Sequence, residues 1–224
     1  ARVRLSSVGG LAPVGLADDG EVEDYLVTIR EDVNFDLPVA TDQATLRLSG
    51  VTVEIIDTTN SVTLLSQPVA TTQMIRLTGT VDNDGITIDY SAGGFFSFPD
   101  GIQIDGAGGS DTVEFRGTGT SSAKLHSLDG TLANAIVHTQ DGSQVNEARL
   151  GDISSLSILE MQSIQIDGTL QIADQTLTLD STDAVMLGSM IEFSGGAIQS
   201  TGSIALGGGL VYRFPAGVTP TAGH

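Results

Sequence analysis

The chain is 224 residues long, carries 28 acidic side chains against nine basic ones, and has a formal net charge of −19 at pH 7. This charge excludes a basic patch for phosphates, so nucleic acid and anionic membrane surfaces are not expected partners. The absence of cysteine excludes disulfides, thiolate metal sites and cysteine nucleophiles. Because no apolar run approaches ~20 residues, we predict no membrane insertion.

The core predicted from this composition is unusual. Apolar residues make up 40% of the chain, but only 4% are aromatic and none is tryptophan. Small and β-branched residues must therefore fill the interior, which favours narrow, stacked β layers. The sequence begins at Ala1 without a signal-peptide pattern, and we interpret it as a piece of a longer precursor.

The first predicted segment, residues 1–30, contains two short strands at Ala1–Ser6 and Tyr25–Ile29, separated by a glycine-rich loop and an acidic run. Acidic side chains at this density are typical of calcium sites, because calcium takes six to eight oxygen ligands. The predicted calcium ligands are Asp18, Asp19, Glu21, Glu23 and Asp24. The alternative is an exposed acidic turn beside an edge strand whose charges block unwanted pairing.

The run Gly20–Asp24 reads GEVED and resembles the signature of that name in large secreted and surface proteins of bacteria, notably planctomycetes. The resemblance extends upstream through residues 1–30 and corresponds to the C-terminal end of such a domain. It implies an extracellular, cell-surface protein and specifies no reaction. The short N-terminal strands would then cap this chain or add to the sheet of a neighbouring copy.

Residues 31–42 are polar, contain Pro38 and are predicted to be a linker. Residues 43–214 show apolar alternation instead, and residues 215–224 are predicted to be a tail. The predicted strands are Thr45–Leu48, Val51–Ile55, Ile86–Ile88, Ile102–Ile104, Ile164–Ile166, Leu170–Ile172, Leu177–Leu179 and Ile204–Leu206. A helix is predicted only at Val145–Met161, where Gly151 weakens the pattern.

The fold predicted from these strands is all-β. Asp-Gly turns at Asp84, Asp105 and Asp129 recur at the interval of a solenoid coil, ~20 residues or more, which favours a parallel β-solenoid of the β-helix type. The same turns also suit hairpins, so a β-sandwich is the alternative. Parallel, in-register strands would favour the solenoid, and hairpins between consecutive strands would favour the sandwich.

A second resemblance covers residues 81–181. The sequence IQIDG occurs at Ile102–Gly106 and again at Ile164–Gly168, and Asp89–Ser91 and Ser110–Thr112 match further positions of the repeat modules of planctomycete giant surface proteins. Both resemblances point to one class of protein. They imply adhesin-like surface repeats.

Gly106–Glu114 resembles the calcium nonapeptide G-G-x-G-x-D-x-U-x, with Ala107 in place of the second glycine. The match predicts a calcium site at Asp105 and Asp111, and a structural glycine-rich turn is the alternative. Calcium is the only cofactor that we predict.

The predicted function is that of a non-catalytic structural module of a bacterial extracellular surface protein: an adhesin, a stalk, or an assembly unit of a filament or array. No nucleophile motif, P-loop or dinucleotide fingerprint occurs, so we predict no enzyme and no catalytic residues. Other copies or neighbouring domains of a larger chain are the expected partners. The alternative is a β-solenoid that binds or cleaves carbohydrate, with a polysaccharide as its partner.

Overall fold

The structure is a computed structural model that describes residues 2–4, 12, 22–24, 28–39, 41–172, 175–183, 185–187, 191–193, 197–200, 204–206 and 210–212. The chain divides into two compact units, Ala1–Arg30 and Glu31–His224. None of the helices among the described residues is long and apolar enough to cross a membrane.

The described residues are all-β apart from two short 3-10 helices, Val69–Thr71 and Leu132–Asn134. Strands β1 to β11 are Arg2–Arg4, Val22–Asp24, Glu31–Asp36, Gln43–Ser49, Thr52–Asp57, Val62–Pro68, Thr72–Thr78, Gly85–Asp89, Ile102–Asp105, Thr112–Arg116 and Ser122–Ser127. Strands β12 to β22 are Ala135–Asp141, Gln144–Gly151, Ser155–Met161, Ser163–Asp167, Leu170–Ile172, Thr176–Ser181, Val185–Leu187, Ile191–Phe193, Ala197–Ser200, Ile204–Leu206 and Leu210–Tyr212.

In the first unit, β1 and β2 form a two-stranded antiparallel sheet. The second unit contains two large mixed sheets in a sandwich-like arrangement. The eight-stranded sheet has the order β20-β17-β14-β10-β8-β4-β5-β6, and the nine-stranded sheet has the order β21-β18-β15-β11-β12-β13-β9-β7-β3. A third sheet, β16-β19-β22, is parallel throughout.

Six strands of the eight-stranded sheet are parallel and in register. Their inward-facing residues form rows, because alternate residues of a strand face the same side. One row consists of Ala44, Ile86, Val113, Leu156, Leu177 and Ile198. A second row consists of Leu46, Ile88, Phe115, Ile158 and Leu179. All of these residues are buried except Ile198, which packs against the core partly buried.

Two antiparallel hairpins interrupt the parallel pairing. The hairpin of β5 and β6 continues the eight-stranded sheet beyond β4. The hairpin of β12 and β13 is inserted between β11 and β9 in the nine-stranded sheet. The described strands therefore contain both of the features that were expected to distinguish a solenoid from a sandwich.

The structure corrects three predictions about local structure. The predicted helix Val145–Met161 is β13 and β14 instead, because the buried Asn146 and Ala148 alternate with the half-buried Glu147 and the exposed Arg149. The predicted linker contains β3, whose Val33 and Phe35 pack against the core. In the first unit the second described strand is Val22–Asp24, and of the predicted strand Tyr25–Ile29 the described residues Thr28 and Ile29 are not in a strand; residues 25–27 and the tail 215–224 lie outside the described residues.

Candidate functional site

Two acidic turns precede the neighbouring parallel strands β8 and β10. The first turn joins β7 to β8 and contains Thr80 and Asp84, and the second joins β9 to β10 and contains Asp111. Asp84 and Asp111 are 27 residues apart, and each immediately precedes one of the register partners Gly85 and Thr112. The fold thus brings together two carboxylates that are distant in the sequence.

The carboxylate of Asp84 is satisfied within its own turn. Its Oδ2 accepts hydrogen bonds from the backbone N–H of Thr80 at 2.6 Å and from the Thr80 hydroxyl at 3.0 Å. The backbone N–H of Asp84 in turn donates to Oδ1 of Asp111 at 2.8 Å. Asp111 therefore ties the turn before β10 to the turn before β8.

The second oxygen of Asp111 has no hydrogen-bond partner, although the residue is only 1% exposed. This Oδ2 lies close to Gly106, as does the carbonyl oxygen of Asp152, so a Cβ on residue 106 would come within 3.0 Å of both atoms. Burial raises the pKa of Asp111, and the charges of Asp84, Asp152 and Asp105 raise it further, against the lowering effect of the Asp84 hydrogen bond. The surroundings therefore disfavour the charged form of this carboxyl group relative to water.

Asp105 is exposed, and its Oδ1 accepts a hydrogen bond from the N–H of Ala107 at 3.0 Å. Within the part of the chain that the structure describes, no three His, Cys, Asp or Glu side chains are placed to hold a metal ion together. Calcium takes six to eight oxygens. Calcium binding at Asp105 and Asp111 stays a prediction.

The other five predicted calcium ligands belong to the N-terminal acidic run. Asp18, Asp19 and Glu21 lie outside the described residues. Only the backbone is described for Glu23 and Asp24, as part of β2. Calcium binding by this run stays a prediction.

Ala107 occupies the nonapeptide position that normally holds glycine, and its φ is 69°. This left-handed conformation destabilises the folded state by about 1–2 kcal/mol for any L-residue. Glycine removes that cost, but it also increases the conformational entropy of the unfolded chain, which lowers stability by only about 0.4–1 kcal/mol. We expect Ala107→Gly to raise the free energy of unfolding by about 0.5–1 kcal/mol, measured by urea denaturation. Ala92, whose φ is not positive, is the control: Ala92→Gly should lower stability, and equal effects of the two changes would contradict the prediction.

The raised pKa of Asp111 predicts a specific pH dependence. The folded state holds this proton more tightly than the unfolded state, whose pKa is near the ordinary value of 3.8. The contribution of Asp111 to the free energy of unfolding is therefore fully present below pH 3.8, and it is lost as the pH rises through the folded-state pKa. Asp111→Asn keeps the acceptor for the N–H of Asp84 and removes the buried charge, so its stability advantage over the wild type should grow as the pH rises from 3.8 through the folded-state pKa.

Urea denaturation at a series of pH values measures this effect. The exposed Asp183 provides the matched control, since Asp183→Asn makes the same change in charge without removing a buried carboxylate. An advantage of Asp111→Asn that stays constant with pH, or that equals the control, would show that Asp111 is ionised without penalty in the folded protein.

A buried polar network joins the two large sheets. Tyr90 directly follows β8 and is fully buried, and its hydroxyl oxygen accepts hydrogen bonds from the Thr139 hydroxyl at 3.0 Å and from Nδ2 of Asn146 at 2.8 Å. Burial raises the pKa of Tyr90 to about 12, so the phenol stays neutral near pH 7. The ring stacks on Phe95 with a centroid distance of 4.5 Å and packs on Phe96 at 4.9 Å. This network is structural.

A groove of about 560 Å³ runs along the turns that end β8, β10, β14 and β17. Glu160 and Asp180 contribute carboxylates to its lining, and Glu160 has a positive φ of 56° at a bulge in β14. Nε of Arg116 lies 3.7 Å from a carboxylate oxygen of Glu160. The groove offers charged and hydroxyl groups to a polar ligand such as a saccharide.

The outer face of the nine-stranded sheet carries a row of polar side chains. Arg76, Gln103 and Arg149 are register partners on β7, β9 and β13, beside a groove of about 480 Å³. Nε of Arg76 donates to Gln103 at 3.2 Å, and the two guanidinium groups pair with Asp32 at 3.0 Å and with Glu147 at 2.9 Å. Because each cation already has a carboxylate partner, the row does not form a free basic surface.

Convergence of Asp89, Asp105 and Asp111 on one groove with Arg116 would favour an enzyme. Asp111 precedes β10 and Arg116 ends it, so the two residues are roughly 16 Å apart at the usual rise of a strand. Asp89 lies beside Arg116 as its register partner. The structure therefore does not bring the three carboxylates together.

Sequence reasoning did not single out the network of Tyr90, Thr139 and Asn146. The sequence pattern gives only a weak signal for this network, because the polar Asn146 at an inward-facing position resembles an interruption of the apolar alternation. Comparisons of the sequence with protein-family models, with curated proteins and with solved structures gave no match.

Proposed function

We propose that this chain is a non-catalytic structural module of a bacterial extracellular surface protein, serving as a stalk, adhesin segment or assembly unit. The observation that supports this proposal is the row of in-register parallel partners from Ala44 to Ile198. Such a row is stabilised by contacts between neighbouring repeats, and repeats of this kind are suited to spacing and to assembly. The resemblance of Gly20–Asp24 to the GEVED signature supports a cell-surface location.

We propose further that the parallel part of the second unit is a β-solenoid. The backbone partners Ser155 and Thr176 are 21 residues apart, an interval within the range of solenoid repeats. From Leu170 onwards each repeat contributes three strands, one to each sheet. In this interpretation the hairpins of β5–β6 and β12–β13 are insertions into two longer repeats.

Removal of one repeat tests the solenoid. Deletion of residues 176–196 joins Gln175 to Ala197, the register partner of Thr176. We expect the shortened chain to fold and to melt cooperatively, because each repeat contacts only its neighbours. Deletion of residues 176–186, about half a repeat, is the control and should abolish the cooperative transition in circular dichroism. Equal damage by both deletions would favour the sandwich.

The alternative function is carbohydrate binding or cleavage, and the groove beside Glu160 and Asp180 is the observation that favours it. Incubation of the purified chain with cellulose, chitin, xylan and alginate separates the two functions. A structural module should stay in the supernatant and release no reducing ends. Retention on one polysaccharide, lost in the Glu160→Gln variant, would support the carbohydrate function instead.

A further inference from the structure

Asp-Gly pairs are chemically reactive positions in a protein chain. The backbone nitrogen of the glycine can attack Cγ of the preceding aspartate, because glycine has no Cβ to hinder the approach and tolerates many backbone angles. The attack needs a glycine N–H that is not bonded elsewhere, and it needs local freedom of the backbone. Among the described residues the aspartates of such pairs are Asp84, Asp100, Asp105, Asp129, Asp141 and Asp167.

Three of these pairs are protected by backbone hydrogen bonds. The N–H groups of Gly85, Gly101 and Gly106 donate to backbone carbonyl oxygens at 2.8, 3.1 and 2.9 Å. Each nitrogen is thereby held in the fold and cannot reach the preceding side chain until its bond breaks. The fold therefore suppresses the reaction at Asp84, Asp100 and Asp105.

Two further pairs are protected at the carboxylate. The hydrogen bond with Lys124 lowers the pKa of Asp167, and the bonds from the N–H and the hydroxyl group of Thr131 lower the pKa of Asp129. Nδ2 of Asn134 also donates to Asp129, at 3.2 Å. An ionised carboxylate is a poor electrophile, because its negative charge repels the nitrogen and its oxygen is a poor leaving group. These bonds also hold the side chain in place.

The pair Asp141–Gly142 differs from the other five. Asp141 ends β12, and Gly142 lies in the turn that leads to β13. Gly142 is exposed, and its N–H donates to no acceptor among the described residues. The hydroxyl group of Thr118 donates to Oδ2 of Asp141 at 2.9 Å, which draws electron density from Cγ. The electrophile is thus polarised next to an available nitrogen.

The tip of this hairpin also has the freedom that the attack requires. Asp141 must leave its extended conformation before the nitrogen of Gly142 can reach Cγ. Residues 142–145 are all exposed, so opening of the tip removes no buried apolar side chain from the core. Segments with few buried contacts open locally at low cost in free energy.

We propose that Asp141 is a site of spontaneous isomerisation to isoaspartate. The nitrogen of Gly142 forms a bond to Cγ of Asp141, the C–OH bond of the protonated carboxyl group breaks, and the hydroxyl group leaves with the amide proton as water. Water then adds to the main-chain carbonyl carbon of Asp141 in the succinimide, and the bond from that carbon to the nitrogen breaks. The chain now continues through Cγ, with no change in mass and no transfer of electrons.

The product carries one additional backbone carbon at the end of β12. Asp141 pairs with Gln144 across the hairpin, so the added carbon disturbs the pairing at its tip. The new carboxylate is attached directly to Cα, one carbon closer to the backbone than the original group. It therefore no longer occupies the position that accepts the bond from Thr118.

Tryptic digestion provides an internal control, because cleavage after Lys124 and Arg149 leaves both Asp129 and Asp141 in one peptide. The purified chain is incubated for several weeks at mildly acidic pH and digested, and electron-transfer fragmentation then locates isoaspartate within the peptide. We expect isoaspartate to form at Asp141 at least about ten times faster than at Asp129, where bonds to a charged group must break first.

Incubation in concentrated urea shows whether the fold causes this difference, since the two rates should become similar in the unfolded chain. Gly142→Ala adds a Cβ beside the attacking nitrogen, so it should slow the reaction at Asp141 and leave that at Asp129 unchanged. Equal rates at the two sites in the folded chain, or isoaspartate at Asp141 only in urea, would overturn the proposal. These outcomes are independent of the polysaccharide and deletion experiments that test the proposed function.

Discussion

Replacing Gly101 by alanine should destabilise the protein by about 2–5 kcal/mol, the sum of a left-handed backbone cost and an overpacking cost. Gly101 precedes β9 and has a φ of 75°. A Cβ on this residue would come well within 3.0 Å of the backbone carbonyl oxygen of Glu147 on the neighbouring β13. Because that oxygen belongs to a buried part of the sheet, it cannot move away without disturbing the pairing of β9 with β13.

Gly142 provides a matched control for the backbone cost alone. It lies in the turn between β12 and β13 with a φ of 58°, and a Cβ there would meet no atom within 4 Å. Gly142→Ala should therefore cost only about 1 kcal/mol. Urea denaturation of both variants measures the difference. If the two substitutions cost the same, the close approach of residue 101 to β13 does not exist in solution.

Tyr90→Phe should lower the free energy of unfolding by about 2–4 kcal/mol, since each buried donor left without an acceptor costs about 1–3 kcal/mol. The phenylalanine ring keeps the packing on Phe95 and Phe96, so the loss reports the hydroxyl. Without the hydroxyl, the donors of Thr139 and Asn146 have no acceptor between the sheets. The effect is measured by the shift of the urea midpoint at constant m-value.

A double-mutant cycle with Thr139→Val separates the network from simple packing. Valine has nearly the shape of threonine and removes the donor that Tyr90 satisfies. In the Tyr90→Phe background, Thr139→Val should be milder than in the wild type by about 1 kcal/mol. Additive effects would contradict a direct bond between the two hydroxyl groups.

Most strands were predictable because their apolar residues alternate and their inward neighbours are apolar as well. Ile102–Ile104, Leu170–Ile172 and Leu177–Leu179 all lie in strands of the structure. The predictions failed where a strand breaks this pattern for a structural reason. Strand β13 has Asn146 and Ala148 facing inward, because one bonds to Tyr90 and the other is small, and β3 has acidic residues on an exposed edge.

The candidate site was only partly predictable. The sequence identified Asp105 and Asp111 as neighbours in a glycine-rich turn, and both lie there. It could not show that Asp84, 27 residues earlier, bonds to Asp111 through its backbone, because this contact depends on the register of β8 with β10. Nor could it show that Ala107 has a left-handed backbone.

The two inserted hairpins have a consequence for how the chain folds. Pairing of β4 with β5 and β6, and of β11 with β12 and β13, joins segments that are close in the sequence. The parallel pairs join partner residues that are 19 or more positions apart in the sequence and need larger loops to close. We therefore expect the hairpins to form the early nuclei of folding, with the parallel strands β14 to β22 added in sequence onto a template that the hairpins have already fixed.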